Sequence, residues 1–168
     1  LDGKRVPSIS EIEIKINKVI ESLKSKDGIS NVTFEGNYSD YLFKLSCDFN
    51  SLKELQEAVK DIFREQNNDE DIPELNHEWI SLDQNTLARS IPKITIQKTK
   101  EIKQSEEKLL MEGTYTSISR FQSEVISYSN ENAKLSKNKM AVMIRTDSYS
   151  LTQNPQLLDN TIILKENQ

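Results

Sequence analysis

The sequence predicts an α+β fold: a mainly antiparallel β-sheet with two amphipathic helices packed side by side on one face. Segments 8–25 and 50–65 each carry apolar residues at helical spacing, so each would bury one stripe. Most other apolar runs alternate with polar residues, as strands with one buried face do. The order helix, strand, strand, helix in the first 65 residues places a hairpin between the two helices.

Composition sets the limits of this prediction. With 168 residues, 35% of them hydrophobic, the chain is long enough for one domain with a sizeable core. We therefore predict a single α+β domain over 1–168, with residues 1–7 frayed. The net charge is −5, with acidic and basic residues interleaved, so nucleic acid is not an expected partner. The sequence contains no run of about 18 apolar residues, so it predicts no membrane-spanning helix.

Both predicted helices have clear start signals. Ser8 and Glu11 have the spacing of a capping box, and the first helix is expected to end at Asp27-Gly28. Ser51 and Glu54 repeat the capping spacing at the start of the second helix. The apolar stripes consist of Ile9, Ile12, Ile16, Val19, Ile20 and Leu23 in the first helix and of Leu52, Leu55, Ala58, Val59, Ile62 and Phe63 in the second.

A hairpin is predicted between the helices, with strands at 31–35 and 41–49. Cys47 falls on the same face as the apolar residues of the second strand, which predicts a buried and inert thiol. The predicted core consists of Ile16, Val19, Leu23, Phe43, Leu45, Cys47, Leu55, Val59 and Ile62. Replacing Ile16 or Leu55 by alanine is expected to cost about 2–5 kcal/mol.

The second half of the chain reads mainly as strands. Segments 75–82 and 86–98 are predicted strands, and 99–110 is either a loop or an exposed short helix. A β-meander is predicted over 111–145: a strand from Met111 to Phe121, a strand at 124–129, a polar corner at 130–132 and a strand at 140–145. Residues 149–158 are expected to form a loop with one helical turn, and 161–165 a final strand.

The sequence contains few of the patterns that carry chemistry. It has one histidine and one cysteine, no glycine-rich phosphate loop and no zinc-binding pair of cysteines. The acidic run 65–71 lacks the ligand spacing of a calcium loop. His77 next to Trp79 could belong to a pocket, but a lone histidine is more often structural. We therefore expect no enzyme activity, no catalytic residues, no metal site and no cofactor.

The C-terminal third carries one resemblance. Residues 115–121 (YTSISRF), Val125, 129–136 (SNENAKLS), Asn154-Pro155 and 162–164 (IIL) together resemble the C-terminal part of uncharacterised cell-envelope lipoproteins of Bacteroidetes. The resemblance implies an N-terminal signal and a lipidated cysteine followed by an exported α+β domain, in the periplasm or associated with the outer membrane. The anchor would lie upstream of Leu1.

Two functions from different classes follow from this sequence. The first is a non-enzymatic interaction or scaffold module of an exported lipoprotein, with an unknown protein or lipid of the cell envelope as its partner. The alternative is a small-ligand or lipid carrier with an apolar cavity of several hundred Å³ between sheet and helices. For the carrier, the large residues expected at the cavity wall are Trp79, Met111, Phe121 and Met143.

Overall fold

The computed structural model describes residues 8–38, 42–67, 72–91 and 111–166. These residues form an α+β fold with antiparallel sheets, as the sequence predicts. The chain divides into two compact units, 1–71 and 72–168, and each is described by itself. The prediction of a single domain stays a prediction. The expected fraying of 1–7 and the predicted loop or helix at 99–110 lie outside the described residues, as does the strand prediction beyond residue 91.

In the first unit, local side-chain hydrogen bonds fix where both helices begin. Helix α1 is Ile9–Lys24; the hydroxyl of Ser8 accepts from the Glu11 N–H at 3.3 Å, and the Ser8 N–H donates to the Glu11 carboxylate at 2.7 Å. Helix α2 is Leu52–Gln66, with the Ser51 hydroxyl accepting from the Glu54 N–H at 3.2 Å. Gly28, with φ +74°, turns the chain after α1. The capping predictions are confirmed.

Strands β1, Ile29–Asn37, and β2, Leu42–Phe49, form a two-stranded antiparallel sheet. The register of β1 shifts between Ser30 and Thr33, where Asn31 has φ +49°. Such a bulge resets the alternation of side chains along a strand. Both helices contact one face of this sheet, in a core cluster of Leu23, Ile29 and Ala58 surrounded by Val32, Cys47, Leu55 and Ile62.

The prediction of core residues in the first unit is confirmed for some of the residues and wrong for others. Leu23 is buried, Cys47, Leu55 and Ile62 pack against the cluster, and Ile16, Val19 and Val59 are half-buried. Phe43 and Leu45 are 42% and 47% exposed, so predicting them as core residues was wrong.

Phe43 and Leu45 lie outside the core cluster to which α2 contributes. Helix α2 starts beside Gly28, whose carbonyl accepts from the Asn50 N–H at 2.9 Å. Near its other end, the Glu65 carboxylate contacts the Ser22 hydroxyl and the Lys26 ammonium at the end of α1, at 2.5 Å each. Cys47 is the β2 side chain that packs against the cluster, whereas the Phe43 ring packs against the rings of Phe34 and Tyr38, with centroids 6.2 and 5.3 Å apart.

The second unit contains two antiparallel sheets. Strands β3, Ile80–Asp83, β4, Thr86–Arg89, β6, Val125–Tyr128, and β9, Asn160–Leu164, form a four-stranded sheet in the order β3-β4-β9-β6. Strands β5, Thr114–Arg120, β7, Ala133–Leu135, and β8, Ala141–Asp147, form a three-stranded sheet in the order β5-β8-β7. Arg89 donates a hydrogen bond to the Ser117 hydroxyl and so links the two sheets.

The predicted β-meander is wrong, because β6 pairs with neither β5 nor β7, the strands before and after it in the chain. Strand β5 pairs with β8, while β6 pairs with β9 in the other sheet. Strand β8 pairs with β5 on one side and with β7 on the other; β7 follows the polar corner at 130–132 and was not predicted as a strand. Strands β6 and β9 are neighbours in the four-stranded sheet, and each buries an apolar side chain there, Val125 on β6 and Ile162 on β9.

Three further boundaries differ from the predictions. Residues 75–82 are not one strand: a 3₁₀ turn, Pro73–Leu75, comes first, as the fixed φ of proline favours, and the strand starts at Ile80. Residues 111–112 are helical, so the strand expected from Met111 begins only at Thr114. The segment 149–158 holds helix α3, Ser148–Gln153, and a 3₁₀ turn, Pro155–Leu158, instead of a loop with one turn.

A buried asparagine ties the turn after β6 to the start of β9. Asn160 is 5% exposed, and its side-chain oxygen accepts from the main-chain N–H groups of Ser129 and Asn130 at 3.2 and 3.1 Å. The Asn130 side chain in turn donates to the carbonyls of Leu157 and Asp159 at 2.9 and 2.7 Å. The polar corner is therefore a structural network.

None of the helices in the described ranges combines the length and the apolar composition that crossing a bilayer requires.

Candidate functional site

The candidate site is an open groove of about 600 Å³ on one face of the three-stranded sheet. We call it the β5–β8 groove. Side chains of β5, β7 and β8 form its floor, and the turn before β8 forms one wall. Its lining residues are Ile118, Arg120, Phe121, Lys134, Leu135, Ser136, Asn138, Met140, Ala141 and Met143.

Strand register places the central side chains of the groove in one row. Met143 of β8 lies opposite Ile118 of β5 on one side and opposite Lys134 of β7 on the other. Directly opposed residues of antiparallel strands point to the same face, about 4.5–5.5 Å apart. Val142 and Ile144 alternate with Met143 on β8 and are buried on the opposite face. The groove face is therefore the side of the sheet turned away from the core.

A small residue next to this row gives the groove its depth. Arg120 lies opposite Ala141, whose methyl group fills little of the space between the strands. Ile118 is 44% exposed, so the floor offers apolar surface to solvent. Exposed apolar surface rimmed by polar groups is typical of interaction sites.

The groove is cationic, although the protein as a whole is acidic. Arg120 and Lys134 are the charged residues among its lining, against a net charge of −5 for the chain. Within the described ranges neither side chain forms an ion pair. Two cations that no carboxylate of the described residues neutralises leave the groove suited to an anionic group of a ligand or partner.

A second depression adjoins the groove. It has a volume of about 580 Å³ and shares Arg120 and Phe121 with the groove. Leu82 and Leu164 add apolar surface there, and Lys165 and Glu166 add one charge of each sign. Arg120 and Phe121 thus stand between two neighbouring concave surfaces.

The structure brings together two of the four residues expected at a cavity wall. Phe121 and Met143 line the groove, but Trp79 and Met111 do not. Trp79 is half-buried beside His77, with ring centroids 6.0 Å apart in an edge arrangement, and Met111 is exposed just before β5. Strands line this groove, whereas the carrier prediction placed the cavity between sheet and helices.

Sequence reasoning missed Ile118, Arg120 and Lys134 as members of one site. The alternation of β5 did place Ile118 and Arg120 on one face, which was the available signal. Their nearness to Lys134 depends on β8 lying between β5 and β7, an order that the sequence does not reveal.

Other titratable groups do not assemble into a second site. The described ranges hold no group of three or more His, Cys, Asp or Glu side chains arranged to bind a metal ion. Burial, and secondarily the charge of Asp48, raises the pKa of the half-buried Cys47 thiol, which favours its protonated form. His77 Nδ1 and Asp159 Oδ1 are buried without a hydrogen-bond partner in the described part of the chain.

No family model, no curated protein and no solved structure matches this chain.

Proposed function

We propose that this chain is a non-enzymatic interaction domain of an exported cell-envelope lipoprotein, and that the β5–β8 groove binds a partner protein. The observation that carries the proposal is the combination of exposed apolar side chains with two cations that have no described ion-pair partner. The resemblance of residues 115–164 to envelope lipoproteins supplies the proposed location, in the periplasm or at the outer membrane.

The chemistry of the groove indicates the kind of segment that it fits. Ile118, Phe121 and Met143 offer an apolar floor, and Arg120 and Lys134 stand at its sides. An extended segment with one or two carboxylates next to a bulky apolar residue would complement both features. Interfaces commonly pair an apolar centre with charged groups at the rim, and the charges contribute mainly to specificity and association rate.

A lipid carrier is the second candidate, and the lining of the groove favours it in one respect. Phe121 and Met143 were expected at a carrier wall, and the volume falls within the 300–1,000 Å³ range of ligand pockets. A carrier, however, encloses most of the surface of its ligand. The groove is open along the sheet, and we therefore favour the interaction domain.

A photo-crosslinking experiment tests the interaction domain. A photoreactive amino acid replaces Ile118, in the groove, or Ile126, an isoleucine of β6 that lies outside the groove and is more exposed than Ile118. After incubation with a solubilised envelope fraction, we expect a discrete protein adduct from position 118 and none from position 126. Equal labelling from both positions, or no adduct from position 118, would contradict the proposal.

Charge reversal provides the second arm of the test. Arg120→Glu with Lys134→Glu is expected to reduce the adduct about tenfold, since two exposed ion pairs together contribute about 1 kcal/mol or slightly more. Lys15→Glu with Lys18→Glu, on α1, changes the net charge equally and is expected to leave the adduct unchanged. Native mass spectrometry of gently purified protein tests the carrier, because a stoichiometric co-purified lipid would favour it over the interaction domain.

Cell fractionation tests the proposed location separately. The complete gene product, expressed in a Bacteroidetes host, is expected in the membrane fraction and to incorporate labelled fatty acid. Recovery in the cytoplasm without label would contradict export, and the groove experiment would be unaffected by that result.

A further inference from the structure

The first unit has an open sheet edge. Within the described residues, β2 pairs with β1 alone, so no described strand lies along its other side. An open edge presents main-chain N–H and C=O groups that can pair with another strand. Three large side chains on the apolar face of β2 are also incompletely covered: Phe43, Leu45 and Phe49 are 42%, 47% and 43% exposed.

We propose that this edge joins two copies of the chain, β2 to β2, antiparallel about a two-fold axis that passes between the two Ser46 residues. The product would be a four-stranded sheet in the order β1-β2-β2-β1. Opposed residues of antiparallel strands share a face, so a two-fold axis perpendicular to the sheet keeps all four helices on one side. The proposal is independent of the function proposed for the β5–β8 groove, which belongs to the other unit.

The sequence of β2 is self-complementary in this register. With Ser46 opposite its own copy, Lys44 lies opposite Asp48 of the second copy, and the two-fold axis repeats that pair. On the apolar face, Leu45 lies opposite Cys47 and Phe43 opposite Phe49. Opposite charges and aromatic pairs at directly opposed positions stabilise antiparallel strands.

Neighbouring registers lose this match. An axis at Leu45 places Lys44 opposite Ser46 and the apolar Leu42 opposite Asp48. An axis at Cys47 shortens the paired segment and removes the partner of Lys44. A register centred between Leu45 and Ser46 would set Phe43 against Asp48 and Lys44 against Cys47, and it would place the helices of the two copies on opposite faces. The register centred on Ser46 pairs residues 43–49 and sets apolar side chains against apolar ones and Lys44 against Asp48.

The existing contacts of the charged side chains leave room for the second copy. The Lys44 ammonium lies 3.6 Å from the Glu35 carboxylate within the same hairpin, yet the Lys44 side chain is 68% exposed. One oxygen of Asp48 accepts from the Asn31 side chain at 2.7 Å. A lysine bridging two carboxylates, Glu35 of its own copy and Asp48 of the second, uses groups that are all at the surface.

Cysteine cross-linking tests the register in the full chain. In a Cys47→Ala background, Ser46→Cys is expected to form a covalent dimer under mild oxidation, because the Cα atoms of directly opposed residues lie about 4.5–5.5 Å apart, within the Cα range of a disulfide. Lys44→Cys alone is expected not to cross-link, and neither is Asp48→Cys alone, whereas a mixture of these two variants is. Absence of cross-linking at position 46, or equal cross-linking in all samples, overturns the proposal.

Charge exchange tests the same register without oxidation. By sedimentation, the unmodified chain is expected to shift with concentration from 19.4 kDa toward twice that mass. Lys44→Glu is expected to weaken association at least tenfold, and Lys44→Glu with Asp48→Lys to restore it. Lys18→Glu on α1 serves as the control and should associate as the unmodified chain does. A mass that stays at 19.4 kDa at every concentration, or a double variant as weak as the single one, overturns the proposal.

Discussion

Removing the side chain of Asn160 is expected to destabilise the second unit by about 1–3 kcal/mol. In Asn160→Ala, the Asn130 N–H loses the acceptor 3.1 Å away, and no other acceptor for it occurs among the described residues. An unsatisfied buried donor costs about 1–3 kcal/mol. The Ser129 N–H keeps a partner, since it also donates to the Thr161 carbonyl at 3.0 Å, so the cost should not double.

Trp79 makes this prediction measurable in the second unit alone. It is the single tryptophan of the chain and lies within 72–168, so its fluorescence during urea unfolding follows that unit. With a slope of about 1–3 kcal/mol per molar urea, the midpoint should fall by roughly 1 M while the slope stays constant.

The matched control for Asn160→Ala is Asn154→Ala. Asn154 is exposed and its side chain makes no capping hydrogen bond to the 3₁₀ turn that follows it. We expect a change within about 0.5 kcal/mol for this substitution, as for most surface positions. If the two variants unfolded at the same urea concentration, the Asn160 network would contribute no stability and our reading of it would be wrong.

Two further predictions concern the two units separately. Leu55→Ala should lower the free energy of unfolding by about 2 kcal/mol, near the lower end for core truncations because the side chain is half-buried. Thermal unfolding followed by circular dichroism should show a fall in the midpoint temperature well beyond that of the control Lys53→Ala on the same helix. Burial raises the pKa of Asp159 above its ordinary value of 3.8, so the folded state favours the protonated carboxyl. The stability that this preference contributes is fully present below pH 3.8 and is lost as the pH rises through the raised pKa. Asp159→Asn should therefore raise the urea midpoint at pH 7 and not at pH 3; an equal gain at both would contradict the assignment.

The sequence predicted those features of the fold that depend on local patterns. Helix α1 and helix α2 start where Ser8 and Ser51 provide capping oxygens, and each apolar stripe supplies residues to the core. Capping and helical periodicity involve residues three or four apart, so they can be read without knowledge of the tertiary structure.

Strand pairing in the second unit could not be predicted from the same patterns. Alternation identified β5, β6, β8 and β9 as strands, but it does not say which of them are neighbours. The pairing of Thr86 with Ile163 joins residues far apart in the chain. The groove could not be predicted for the same reason, because Ile118 and Lys134 are brought together by lying on either side of Met143 in the sheet. The exposure of Phe43 likewise depends on which β2 side chains pack against the core cluster, and the alternation along β2 does not reveal that.

The position of β9 has a consequence for how the protein is made. Residues 160–164 are the last described strand to be synthesised, yet they lie between β4 and β6 in the four-stranded sheet. During translation, β4 and β6 have no contact with each other through this sheet until β9 has left the ribosome. The first unit, in contrast, pairs strands that are adjacent in the chain and can fold early. Nascent chains stalled before residue 160 should therefore expose the apolar faces of β4 and β6 to chaperones and proteases.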